Sequence, residues 1–213
     1  MIKHAFSTAG IMIGFTVIGT VLLAATYFST RLPIADSERA SKLRLIEQVL
    51  PPALHDNDLL KDGIAMAAGG ELGNRDETTA YRARLNGQPA AVVLEATAPD
   101  GYSGDIRLLI AVRADGELSG VRVLAHKETP GLGDYIDIAH GNWIRRSFDG
   151  QSLAKTKDAL WHVKKDGGSF DFMAGATITP RAVIKAVHKT LTYFAAHREQ
   201  LFEAQSAKEK DHE

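Results

Sequence analysis

The sequence predicts an α+β protein: an antiparallel sheet of hairpins flanked by helices and preceded by one N-terminal transmembrane helix. Three observations carry this. Residues 5–28 hold no charged side chain and are rich in Ile, Val, Leu, Ala and Gly, long enough to cross a hydrocarbon core that needs ~20 apolar residues. The dipeptides Asn86-Gly87 and Asp115-Gly116 separate strand-like runs, 79–85 from 90–96 and 106–112 from 118–125, and both favour the left-handed geometry of tight hairpins. After Pro180, Val183, Ala186, Val187, Leu191 and Phe194 recur at three- and four-residue spacing, the stripe of a helix docked on a core.

In chain order, 1–4 form a short N-terminal segment and 5–28 the span. A cleaved leader is the alternative, but the apolar run exceeds the ~7–15 residues of a signal core. Tyr27 and Phe28 suit a membrane interface. Lys3 lies on one side of the span and Arg31, Arg39, Lys42 and Arg44 on the other, so local charge counting does not favour an inside N-terminus, although long domains cross despite such charges. Residues 29–52 read as a linker and amphipathic helix. Asp36 is its N-cap, Leu43, Ile46, Val49 and Leu50 its apolar face, and Pro51-Pro52 its stop. A looser stretch through Gly69-Gly70 and Asn74 precedes the first strand signals. Residues 53–198 form the globular domain. Within it Ile106, Leu108, Ile110 and Val112 alternate with polar positions such as Arg107, which implies one buried and one partly wet sheet face. Residues 199–213 read as a frayed helix end and polar tail.

Composition narrows function. The 213 residues carry net charge −1, 45% hydrophobic and 24% charged residues and no cysteine. One anchor and one domain account for that length. Near-neutral charge argues against nucleic acid. The missing thiols exclude disulfides, iron–sulfur ligation and a cysteine nucleophile within this chain. No nucleophile elbow, phosphate-binding loop or dinucleotide-binding glycine motif appears, so direct NADH binding is not expected. His140, His162, His188 and His197 show no metal-ligand spacing, and Trp143 and Trp161 read as core.

Three short stretches concentrate chemistry. Asp171-Phe-Met-Ala-Gly-Ala-Thr-Ile-Thr-Pro180 sets the Thr177 hydroxyl in a small-residue turn ahead of a helix, with Thr179 as N-cap and Pro180 as first helical residue. Such a helix start attracts anions, and Arg181 could add a charged contact to a phosphate. His126-Lys-Glu-Thr-Pro-Gly-Leu-Gly-Asp134 follows a strand, and Gly101-Tyr-Ser-Gly104 precedes one. Each alone fits a plain structural turn. In this order they resemble the covalent-FMN subunits of two related membrane complexes: the G subunit of the Rnf electron-transport complex, which the compact chain favours, and the C subunit of the sodium-pumping NADH:quinone reductase.

The resemblance implies a cofactor and its attachment. In that family a flavin transferase joins FMN through its phosphate to the last threonine of a Ser/Thr-Gly-Ala-Thr motif with an upstream aspartate. Asp171 matches the aspartate, Gly175-Ala176 the core and Thr177 the acceptor, while Ala174 stands where Ser or Thr is usual. Asp171, Gly175, Ala176 and Thr177 would be what the transferase reads. Glu128 and Thr129 are assigned to the polar edge of the ring, Gly131 to close backbone approach, Leu132 to an apolar wall, and Tyr102 and Ser103 to a neighbouring wall or phosphate contact. His126 is either a ring contact or proton relay, or a structural residue at a strand end. The expected protein is an FMN-bearing electron carrier of the bacterial inner membrane. Its N-terminus is cytoplasmic and its FMN domain periplasmic. Its partners are membrane and iron–sulfur subunits of a complex that exchanges electrons between ferredoxin and NAD while moving ions. The rival is an anchored, non-redox assembly module.

Overall fold

The structure, a computed structural model, describes residues 2–203, with side chains for all of these but 2–9, 29–36 and 38. Two compact units divide at Arg44 and Leu45. In the first, α1 begins at Ile2 and continues to Glu47 without a break, so Asp36 is inside a helix and not its N-cap. Pro33 removes one backbone donor, and helix-favouring residues on either side, Arg31 and Leu32 before it and Ala35, Glu38, Ala40 and Lys42 after it, sustain the helix across that loss. The stretch Gly10–Phe28 is long and apolar enough to span a membrane, and none of it is buried in protein. Its Thr16, Thr20 and Thr26 hydroxyls donate to Met12, Thr16 and Leu22 carbonyls at 2.8–2.9 Å, which satisfies them inside the apolar run.

The second unit is built on a five-stranded antiparallel sheet in simple chain order: β1 (Gly63–Met66), β2 (Thr78–Leu85), β3 (Gln88–Ala98), β4 (Ile106–Arg113) and β5 (Leu118–Ala125). β1 falls in the stretch expected to be loose. Four residues without alternation give no strand signal; pairing with β2 makes the strand. Asn86 (φ 52) and Gly87 (φ 75) both adopt left-handed geometry, a two-residue turn matched to strand twist. The second hairpin differs. Only Gly116 (φ 86) is left-handed, Gly116 N–H donates to Arg113 O at 2.8 Å, and Asp115 Oδ1 accepts Glu117 N–H at 3.0 Å; both ladders shift register near the turn, at Ala83/Arg84 and Ala111/Val112.

One sheet face, with Val92, Leu94, Ala96, Leu108, Ile110 and Val112, builds the main core with α2 (Trp143–Phe148) and α3 (Ile178–Phe202). The other was expected to be partly wet, yet Ala91, Val93, Leu109 and Ala111 are also buried. The segment after α1 covers it. Val49 backbone lies so close to Gly120 that an added Cβ would meet Val49 O at 2.9 Å, and Arg122 donates to Gln48 O at 2.7 Å. Beside α3, Tyr135, Trp143, Phe148, Phe170 and Trp161 form a chain of rings 5.1–5.6 Å apart. The indole N–H groups donate to Asp171 O (2.8 Å) and Thr156 O (3.1 Å), so the cluster is both apolar and hydrogen-bonded. α3 reaches Phe202 with Leu201 and Phe202 buried. The tail expected from Glu199 therefore starts inside a packed helix, and its residues 204–213 lie outside the described residues.

Candidate functional site

Three loops at one end of the sheet meet the start of α3. In the first, Gly101 is forced by crowding: a Cβ there would sit 2.2 Å from Gly104 O. This tight turn projects Tyr102 outward, 68% exposed. In the second, following β5, Gly131 takes φ 75 and donates to Asp134 Oδ1 at 2.9 Å, while Leu132 and Gly133 both donate to Thr129 O at 3.1 Å. These bonds turn Leu132 out to solvent. In the third, Gly175 takes φ 87, Ala176 N–H donates to Met173 O at 3.1 Å, and the Tyr135 hydroxyl accepts Met173 N–H at 3.3 Å. Burial pushes that phenol up to about 12.

Between the loops lies a groove of about 300 Å³ lined by Tyr102, Glu128, Thr129, Leu132, Gly133, Gly175, Ala176, Thr177, Ile178 and Thr179. The structure thus brings together seven residues singled out from sequence: Tyr102, Glu128, Thr129, Leu132, Gly175, Ala176 and Thr177. Its rim is apolar and exposed at Tyr102, Leu132 and Ile178, with Met173 on the adjoining loop. Thr177 stands at the head of α3 with helical backbone, partly exposed, and its side chain makes no capping bond. Thr177, Ile178 and Thr179 at the head of α3 thus line the groove with no side-chain cap from Thr177, a setting that favours an anion.

Several expected roles are corrected. Thr179 is not the N-cap. It lies in the first turn, 1% exposed, and its hydroxyl donates to Glu128 Oε2. Glu128 lines the groove, yet it is 4% exposed and its oxygens are engaged within the protein, Oε1 accepting Ser103 N–H at 3.0 Å. Arg181 is spent on Asp166, with bonds of 2.6 and 2.7 Å; the guanidinium holds the Asp166 carboxyl below its ordinary value. His126 is outside the groove. Its Nδ1 accepts Glu128 N–H at 3.1 Å, and its Nε2 is 3.9 Å from Asp137 Oδ2. Ser103 and Gly131 are also off the lining and act through their main chain. Asp171 is on the surface, 2.5 Å from Lys164 Nζ.

Gly133, on the lining, belongs to the 128–133 loop whose backbone is expected against the ring; Ile178 and Thr179 were not assigned to the site from sequence. Pro180 drew Thr179 toward a capping role, and an isolated exposed isoleucine gives no signal. Among the described residues no group of three or more His, Asp or Glu side chains could hold a metal ion.

Residues 101–192 match the family model of the FMN-binding domain, and residues 1–49 that of the RnfG N-terminal region. The G subunit of the ion-translocating oxidoreductase complex of Pseudomonas aeruginosa (strain UCBPP-PA14) is 50% identical over 193 residues, covering 91% of this chain and 90% of its own. The proteins of the same name in Aliivibrio fischeri (strain MJ11) and Shewanella piezotolerans are 43% identical (88% and 89% covered) and 39% identical (99% and 100%). The crystal structure of Shewanella oneidensis NqrC superposes with TM-score 0.46 at 23% identity, covering 68% of this chain and 74% of that one.

Proposed function

The chain belongs to the family of G subunits of ion-translocating oxidoreductase complexes, and on that premise we propose that it is a membrane-anchored electron carrier holding FMN on Thr177 through a phosphoester. The observation that carries the attachment is Thr177 itself: a partly exposed hydroxyl on the groove lining, at an uncapped helix start.

The residues present fit the group. A phosphate suits the free amides at the head of α3, Gly175 and Ala176 bring no bulk against it, and the exposed apolar rim of Tyr102, Leu132 and Ile178 suits a flat ring. When bound, FMN supplies reversible uptake and release of single electrons. Thr177 tethers it, Thr129 and the Gly131-Leu132-Gly133 backbone present hydrogen-bonding groups beside it, and the rim limits water. The Gly10–Phe28 helix anchors the domain in the bilayer, with the N-terminus cytoplasmic and the domain on the periplasmic side. Ion movement belongs to other membrane subunits, since one span encloses no polar pathway. Electrons pass between iron–sulfur and membrane subunits in a complex coupling ferredoxin to NAD.

The test is the intact mass and flavin fluorescence of the denatured full chain, made with a flavin transferase and with its domain exported. A gain of one FMN less one water, mapped to Thr177 and lost in Thr177→Ala, is expected. An unmodified mass would overturn the attachment and favour the anchored-module reading.

A further inference from the structure

Glu128, Thr179 and Ser103 come from three separate stretches of chain, 25 and 51 residues apart along the chain from Glu128, and meet in one buried knot. The Glu128 side chain joins them: one oxygen takes the Ser103 amide and the other the Thr179 hydroxyl. A carboxylate this deeply buried is stabilised only by such bonds, so their geometry is held firmly. The knot is also crowded. At Gly133 an added Cβ would lie 2.8 Å from Glu128 Oε2 and 2.9 Å from Thr179 Oγ1, and the backbone there is not left-handed, so glycine is required by this contact alone. Ser103 follows Tyr102, one wall of the groove. Thr179 is two residues from Thr177, at the other wall.

We propose that Glu128 is the positioning residue of the groove, a buried carboxylate that fixes the Tyr102 loop against the start of α3 and so sets the space around Thr177, and that it is not a ligand of the ring. The bond does a second job. It holds the Thr179 hydroxyl away from the first-turn amides, with which a Ser or Thr side chain readily competes, and leaves them for a phosphate. The proposal rests on the assignment of Thr177 as the attachment point.

The experiment uses the full chain in nanodiscs, as Thr179→Val, Thr179→Ser, Glu128→Gln and Gly133→Ala, with two readouts. The first is the backbone amide resonances of Tyr102 and Ser103 before any flavin is added. The second is the rate of FMN attachment to Thr177 by a flavin transferase. Thr179→Val is expected to shift and broaden both amides although it is remote in sequence, and to slow attachment about tenfold, the scale of a small misplacement of a reacting group. Thr179→Ser restores both, and Gly133→Ala reproduces the Val phenotype. Unmoved amides in Thr179→Val would overturn the proposal. So would Glu128→Gln altering the attached flavin's midpoint potential while Thr179→Val leaves amides and attachment alone, the pattern of a direct ring contact. If the wild-type chain takes up no FMN, the attachment reading fails, and the amide resonances alone still decide the knot.

Discussion

At its C-terminal end α3 gives its last carbonyls to two arginines of β2. Arg84 donates to Phe202 O at 3.0 Å and Arg82 to Glu203 O, and Asp62 backs both guanidiniums, 2.8 Å from Arg84 Nε. At its N-terminal end no side chain caps it. The hydroxyl that could compete there is drawn to Glu128, and the nearest arginine is bound to Asp166. Cations at a helix C-terminus and anions at its N-terminus are equally favourable in principle. The protein supplies one and withholds the other. An end completed from within serves the fold; an end left open beside a groove serves something brought to it.

Closing the open end breaks the comparison most sharply. Thr177→Asp removes the acceptor hydroxyl and puts a negative charge at the helix start, so covalent flavin should vanish while stability rises by up to about 1 kcal/mol; urea titration and the mass of the denatured chain measure both. Opening the closed end does the opposite. Arg82 is 4% exposed, and Arg82→Ala takes one of two guanidiniums from Asp62, which keeps Arg84, and leaves the Glu203 carbonyl without its donor. It should cost roughly 1–3 kcal/mol with attachment to Thr177 retained at permissive temperature.

Base destabilises the domain through the burial of Tyr135, whose hydroxyl accepts the Met173 amide beside the open end. Its phenol is raised from 10.0 to about 12 by burial, so the unfolded chain gives up the proton first. Stability is full below pH 10 and falls as pH rises toward about 12, by up to roughly 3 kcal/mol from the difference between those values. Tyr135→Phe should flatten that window in urea midpoints measured across it. The smallest effect belongs to Arg181→Gln. With its guanidinium already on Asp166, attachment should be unchanged, and a large drop would return Arg181 to the phosphate.

The elements legible in sequence were those set by local chemistry. Asn86-Gly87 and Asp115-Gly116 located two hairpins, and the stripe from Val183 to Phe194 located α3. Features that depend on distant partners were not legible. β1 exists through β2, the second sheet face is dry because residues 46–50 cover it, and α1 passes Pro33 because its neighbours sustain the helix. The site divides the same way. Gly175, Ala176 and Thr177 could be read as a turn with a free hydroxyl, whereas the engagement of Glu128 depends on Ser103 and Thr179, which only the fold brings near. His126 left two readings open, and the amide it accepts from Glu128 could not be read from the sequence.

Because each strand pairs with the next in chain order, the sheet has the low contact order that lets hairpins zip up one after another. α3, the last described element of the chain, must then travel back across β3 and β4. Thr177 sits at the hinge between these two phases, following the sheet in sequence and heading the helix that completes it. The groove is therefore complete only where α3 is docked on β3 and β4. A group joined at Thr177 sits on the helix whose other face, with Val183, Val187 and Leu191, closes the core.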